Sequence, residues 1–133
     1  MLSTKFLNID LDLRAESGLQ ELLEAFGSAV IDLKREEKDC ASIEIAEETQ
    51  SMDETILAFC NLVRALPPRA RTIWDQCEMR SMNIGFQAGT TPYLESFCLS
   101  DKIISLLSSM NVEVVITIYA AEKETVDNPL GQR

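Results

Sequence analysis

The residues with the clearest chemical potential in this sequence are carboxylates concentrated between positions 36 and 54. That segment holds eight acidic residues and one lysine, so it carries −7 of the net charge of −10. A field concentrated in this way steers a cationic partner and raises association rates by roughly one to three orders of magnitude. We therefore expect a docking surface for a basic protein, formed by these residues: Glu36, Glu37, Asp39, Glu44, Glu47, Glu48, Asp53 and Glu54. The alternative is a solvated hairpin and helix start whose charge serves only solubility.

A second group of carboxylates begins with Asp10 and Asp12. A two-residue spacing on a strand points both side chains to the same face, about 7 Å apart. Such a pair could hold magnesium or share a proton, and other acidic residues are expected on polar strand faces beside it: Asp32, Glu44 and Glu113. The favoured interpretation is a water-exposed sheet face, because antiparallel sheets commonly leave one face solvated. An enzyme that uses a carboxylate pair with magnesium is kept as an alternative function.

Nucleophilic chemistry has little support in this sequence. There is no histidine, so the commonest general base and metal ligand is missing. The four cysteines lie far apart along the chain, which leaves no close pair for zinc or redox chemistry. Cys60 and Cys98 fit apolar stripes, and Cys77 is the one plausible nucleophile because arginines flank it. We predict no catalytic residue, no metal, no cofactor and no enzymatic activity.

Composition limits the partners and the compartment. The chain has 133 residues, of which 46% are hydrophobic and 26% charged, and this predicts one globular domain over residues 1–122 with a frayed polar tail over 123–133. A net charge of −10 repels phosphate backbones, so nucleic acid is not an expected ligand. The segment from Met1 to Leu13 lacks the pattern of a signal peptide, and charged residues interrupt every apolar stretch before it reaches the length of a membrane span. We expect a cytoplasmic protein that does not enter the membrane.

The elements that position these side chains follow from hydrophobic periodicity. The pattern predicts a two-layer α+β fold, a mostly antiparallel sheet of five or six strands with about three helices on one face. Predicted strands cover residues 7–13, 30–35, 41–46, 82–88, 93–99 and 112–119. Predicted helices cover residues 17–26, 52–66 and 101–110, with a further turn or two over 69–77. Three serines are predicted to begin the three helices as caps: Ser17, Ser51 and Ser100.

The same periodicity predicts which side chains form the core. The expected core residues are Ile9, Leu11, Leu23, Phe26, Ile43, Ile45, Phe59, Val63, Ile84, Phe86, Leu107, Ile116 and Ile118. Trp74 could form an interface anchor with Arg69 and Arg71, but tryptophan is highly buried on average. We therefore expect Trp74 in the core.

Residues 57–119, about half of the chain, resemble a family of small uncharacterised bacterial α+β domains. Three motifs carry the resemblance: the helix end Leu62-Val63-Arg64-Ala65-Leu66-Pro67, the strand Asn83-Ile84-Gly85-Phe86, and the closing run from Leu99 to Tyr119. These are packing motifs, so the resemblance implies a fold and transfers no functional residue. By size, charge and compartment the chain is also similar to the immunity proteins that neutralise bacterial toxins.

These observations favour an acidic cytoplasmic binding protein over an enzyme. The expected partner is a basic protein, such as a nuclease-like toxin neutralised by direct contact. An oligomeric structural domain is the other alternative, since exposed strand edges pair readily with a second copy. A homodimer is therefore kept open.

The cysteine spacing makes a direct prediction, which is that all four thiols are reduced. Protein prepared without added reductant and protected from air, then freshly unfolded, should titrate as four free thiols. A count below four would show that a disulfide forms.

Overall fold

The computed structural model describes residues 2–33 and 37–122. Within them the chain forms five strands and four α-helices: β1 (Lys5–Arg14), α1 (Leu19–Phe26), β2 (Val30–Asp32), β3 (Cys40–Ile45), α2 (Met52–Arg64), α3 (Pro68–Gln76), β4 (Met79–Gln87), α4 (Asp101–Ser109) and β5 (Glu113–Tyr119). A short 3₁₀ turn, Gly27–Ala29, joins α1 to β2. The predicted tail over 123–133 lies outside the described residues. None of the described helices is long and apolar enough to cross a membrane.

The five strands form one sheet in the order β2-β3-β1-β4-β5. Three of the neighbouring pairs are antiparallel, and the pair β4 and β5 is parallel. A parallel pair needs a crossover connection, which here is the loop after β4 followed by α4. The predicted α+β class with a mostly antiparallel sheet is confirmed.

One face of the sheet is packed against the helices. On the central strand β1, Ile9, Leu11 and Leu13 are 1%, 0% and 0% exposed. A β-bulge between Phe6 and Asn8 shifts the register, so that Phe6 pairs with Phe86 on the packed face. Leu7, which simple alternation places in the core, is therefore 41% exposed. All four helices contribute to the core that covers this face, through Leu22, Phe59, Trp74 and Leu107 among others.

The opposite face of the sheet is polar, as expected from the alternation in β1. Ser42 Oγ donates a hydrogen bond to Asp12 Oδ1 at 2.6 Å, and Thr117 Oγ1 donates to Asn83 Oδ1 at 2.8 Å. Asp32 was expected on this face, but it pairs with Ile43, whose side chain lies in the core. Paired residues share a face, so Asp32 lies on the helical side of the sheet edge.

Two of the three predicted serine caps are present. Ser51 Oγ accepts from the backbone N–H of Glu54 at 3.1 Å, and Ser100 Oγ accepts from that of Ile103 at 3.2 Å. The cap predicted at Ser17 is wrong, because α1 begins after Gly18 without a side-chain cap. Gly18 has φ +85°, and a Cβ there would lie 3.0 Å from Ile73 on α3. The positive φ selects glycine at this helix start, and the close approach of Ile73 leaves little room for a side chain.

Trp74 and Arg80 join the ends of two helices. Trp74 is fully buried, meets Phe26 edge to face, and its Nε1 donates to the carbonyl of Met110 at 3.1 Å. The Arg80 guanidinium donates to the carbonyls of Trp74, Cys77 and Asn111 at 3.0, 2.8 and 2.8 Å. These carbonyls lie at the ends of α3 and α4, where helices lack internal donors. The prediction of a core tryptophan is confirmed.

Two parts of the predicted fold are wrong. No strand forms over residues 93–99, and this segment does not pair with any of the five strands of the sheet. That segment instead lies beside the packed face, where Phe97 contacts Phe86 with ring centroids 4.5 Å apart. Ile116 and Ile118 were predicted in the core but are 57% and 65% exposed, since they lie on the edge strand β5.

The serine caps allow a matched stability test. Ser51→Ala and Ser100→Ala each remove a cap hydrogen bond and should lower the unfolding free energy by about 1 kcal/mol. Ser17→Ala makes the same change at an exposed serine without a cap bond and should stay within about 0.5 kcal/mol of the wild type. Urea denaturation measures the unfolding free energy of all three variants. An equal loss of stability in Ser17→Ala would indicate that Ser17 also caps its helix.

Candidate functional site

Three of the predicted docking residues meet at one end of β3. Glu44 lies on the strand itself, and Glu47 and Glu48 lie in the loop that follows it. They border a shallow groove of about 190 Å³ whose other wall is the bulged part of β1, from Phe6 to Ile9. Bulges often lie beside functional sites because they redirect side chains. Asn8 directly follows the bulge and shares a face with Asp10, and from there it contacts Glu44 on β3.

Asn8 connects these glutamates to the open face of the sheet. Its Nδ2 donates to Glu44 Oε2 at 3.0 Å and lies 3.4 Å from Asp10 Oδ1. Asp10, Glu44, Glu47 and Glu48 thus form a continuous surface, which we call the acidic patch. Two ion pairs of the described residues, Arg69–Glu21 and Arg71–Asp75, lie elsewhere on the molecule.

The loop that carries Glu47 and Glu48 is held at both ends. Before the two glutamates, the Ala46 N–H donates to the carbonyl of Ala29 at 2.9 Å. After them, the hydroxyls of Thr49 and Thr55 share a hydrogen bond at 2.6 Å, and Thr55 is buried in the first turn of α2. These two bonds hold the loop at both ends, so the fold sets the backbone positions from which Glu47 and Glu48 project.

The other predicted docking residues are not part of this patch. Glu37 and Asp39 lie beyond the opposite end of β3, roughly 17 Å away along the strand. Glu37 there accepts a hydrogen bond from the Cys40 thiol at 3.2 Å. The Glu54 carboxylate accepts from the Gln50 N–H at 2.6 Å, so it serves the start of α2, and Asp53 is exposed in the same helical turn. Glu36 lies outside the described residues.

The open face does not assemble a metal site from its carboxylates. Asp10 and Asp12 share this face, and Glu113 lies on it opposite Ser81. Across residues 2–33 and 37–122, however, no three acidic or cysteine side chains converge as a bound ion requires. Asp12 is instead engaged by Ser42. The magnesium-dependent alternative therefore has no geometric support in the described part of the chain.

All four cysteines are free thiols, and they differ in how far they are buried. Cys60 and Cys77 are buried, Cys40 is half-buried, and Cys98 is exposed. The expectation that Cys98 is a core residue is therefore wrong. Burial raises the pKa of the Cys77 thiol, although the positive charge of Arg80 opposes this shift. Because its Sγ also donates to the Ile73 carbonyl at 3.3 Å, Cys77 is held as a thiol and is not activated as a nucleophile.

An apolar surface along β5 was missed by the sequence reasoning. A groove of about 270 Å³ runs between the segment before α4 and the sheet, lined chiefly by Ile84, Phe86, Phe97, Leu99, Ile116 and Ile118. On the polar side of the same strand, Val115 and Tyr119 are 40% and 55% exposed. The sequence of β5, EVVITIY, does indicate this surface, because apolar residues occupy positions on both faces of the strand. A strand with one solvated face normally alternates.

No known protein family, curated protein or solved structure matches this chain. The membership expected from the resemblance of residues 57–119 therefore stays a prediction.

The raised pKa of Cys77 gives a pH-dependence prediction. Above about pH 8.5 the unfolded thiol ionises while the buried thiol keeps its proton, so the unfolding free energy falls as pH rises. The slope from one such proton is at most about 1.4 kcal/mol per pH unit. Cys77→Ala should reduce this slope, measured by urea denaturation in reductant between pH 7 and pH 10.

Cys98→Ala is the matched control for that measurement, because it removes an exposed thiol. It should keep the wild-type slope. Identical slopes in the wild type and in Cys77→Ala would contradict the raised pKa.

Proposed function

We propose that this chain is a cytoplasmic binding protein that docks a basic protein through the acidic patch formed by Asp10, Glu44, Glu47 and Glu48. The observation that carries the proposal is the geometry of the loop after β3, which presents Glu47 and Glu48 from a backbone fixed by Ala46 and Thr49. Carboxylates that serve only solubility need no such support.

The chemistry of the partner follows from the sign and density of the charge. Proteins that handle nucleic acid carry clusters of lysine and arginine, because they must neutralise phosphates. A surface on which several carboxylates lie side by side is complementary to such a cluster. A nuclease-like toxin is a partner of this kind, and an immunity protein that covers its cationic active site is the functional class that fits best.

Charge reversal on the patch tests the contact. The double variant Glu47→Lys with Glu48→Lys should slow association with the basic partner at least about tenfold, because both side chains are exposed and supply half of the carboxylates of the patch. The wild-type association rate should also fall steeply from low to physiological ionic strength, where exposed charges are screened beyond about 8 Å. Stopped-flow kinetics with a basic nuclease-like protein as the probe measures both effects.

The matched control reverses Glu37 and Asp39 to lysine. It makes the same change in net charge at the opposite end of β3 and should slow association far less. Equal slowing by the two double variants would mean that only net charge matters. If neither variant slowed association, the patch would not be the docking surface. Thermal unfolding of each variant checks that the fold is retained, since surface substitutions usually change stability by no more than about 0.5 kcal/mol.

A further inference from the structure

The two edges of the sheet differ in how they are protected. The edge strand β2 has only three residues, ending in Asp32, and a short charged edge resists pairing with other chains. The other edge strand, β5, has seven residues, none of them lysine or proline, and a single charge at its first residue, Glu113. In the described part of the chain, no strand pairs with the outer side of β5. This edge therefore keeps a row of backbone donors and acceptors available.

Exposed apolar side chains accompany this open edge on both faces. On the helical side, Val114, Ile116 and Ile118 are 39%, 57% and 65% exposed. Phe97, 43% exposed, extends that surface from the groove beside the strand. Contiguous apolar surface of this kind marks interaction sites in folded proteins.

We propose that two copies of this chain pair through β5, antiparallel, to form a homodimer with one continuous ten-stranded sheet. A dyad perpendicular to the sheet at Ile116 would keep the helices of both copies on the same side. Val114 would then lie opposite Ile118 of the second copy, so the apolar rows of the two strands would meet.

This register also avoids close repulsion between like charges of the two strands. In a pairing centred on Ile116, Glu113 lies opposite Tyr119 of the second copy, so no two carboxylates of the strands face each other. The acidic patch lies on β1, on β3 and in the loop after β3, with β4 between it and β5, and stays open in the dimer. The dimer is therefore independent of the proposed binding of a basic protein.

The available area is of the right size for a dimer. The exposed parts of Phe97 and of the apolar side chains on β5 amount to on the order of 500 Å² per copy, so a dimer would bury about 1,000 Å² in total. A specific interface begins at about that size.

Sedimentation equilibrium of the full chain tests the proposal. From micromolar to millimolar concentrations the mass should rise from the 14.9 kDa of one chain to twice that value. Ile116→Lys sets two cations against each other at the dyad and should weaken the dimer at least about 100-fold. A wild type that stays monomeric at millimolar concentration, or an Ile116→Lys variant that dimerises like the wild type, would overturn the proposal.

Ile31→Lys is the matched control. Ile31 is 46% exposed on β2, the opposite edge of the sheet, so the same substitution there should leave the dimer intact. If Ile31→Lys abolished the dimer while Ile116→Lys did not, the interface would lie at the β2 edge and the proposal would fail.

Ile116→Cys tests the register without adding a charge. Directly opposite residues of an antiparallel pair have Cα atoms about 4.5 to 5.5 Å apart, which is within the span of a disulfide. Mild oxidation should therefore crosslink Ile116→Cys as a dimer well above the level of the wild type or of Ile31→Cys. Absence of this crosslink would overturn the proposed register.

Salt separates this proposal from the proposed function. Each copy carries a net charge of −10, so screening should tighten the dimer as ionic strength rises. The same screening should slow association with a basic protein. The two opposite salt dependences thus let the dimer and the binding of a basic protein be tested separately.

Discussion

The fold depends on removing one row of apolar side chains on β1 from water. Ile9, Leu11 and Leu13 are at most 1% exposed, and burial of such side chains stabilises a protein by about 1.5 to 3 kcal/mol each. Because β1 is the central strand, the helices must cover this face, and the alternate side chains must face the other way. The polar open face and one side of the acidic patch follow from that constraint.

The helices do not cover the whole packed face of the sheet. Apolar side chains of β5 are therefore left partly exposed. Trp74 and Arg80 hold the ends of α3 and α4 together beside the sheet through hydrogen bonds to helix-terminal carbonyls. The helices cover the centre of the sheet and leave the side chains of the last strand partly in water. An edge strand made almost entirely of β-branched and aromatic residues is prone to pair with another strand, which is why a second copy is expected there.

The acidic residues around β3 form two separate groups, one near each end of the strand. A strand of six residues separates its ends by roughly 17 Å, so carboxylates that are close in sequence become two groups in space. Asn8, Asp10 and Glu44 join the first group to the sheet through side-chain hydrogen bonds. The second group lies around Glu37 and Cys40 and has a different local role. Charge density read along the chain therefore overstates the size of a docking surface.

Local patterns in the sequence were sufficient to establish the fold class, because alternation in β1, β3 and β4 and the apolar stripes of the helices involve only near neighbours. They also established the caps at Ser51 and Ser100, since each cap bond joins a serine to the backbone less than one helical turn ahead. The glycine that begins α1 was missed, because hydrophobic periodicity shows neither its positive φ nor its close contact with Ile73, which is distant in sequence.

Long-range packing, in contrast, determines which acidic residues share a surface and which apolar strand stays exposed. Glu44, Asn8 and Asp10 meet because β1 pairs antiparallel with β3, which places Glu44 on the same face as Asn8 and Asp10, and no pattern within the segment 36–54 encodes that contact. Ile116 and Ile118 have the composition of core residues, yet they are exposed because β5 takes the edge position. Strand order is set by contacts between distant segments, so burial on an edge strand cannot be derived from local periodicity.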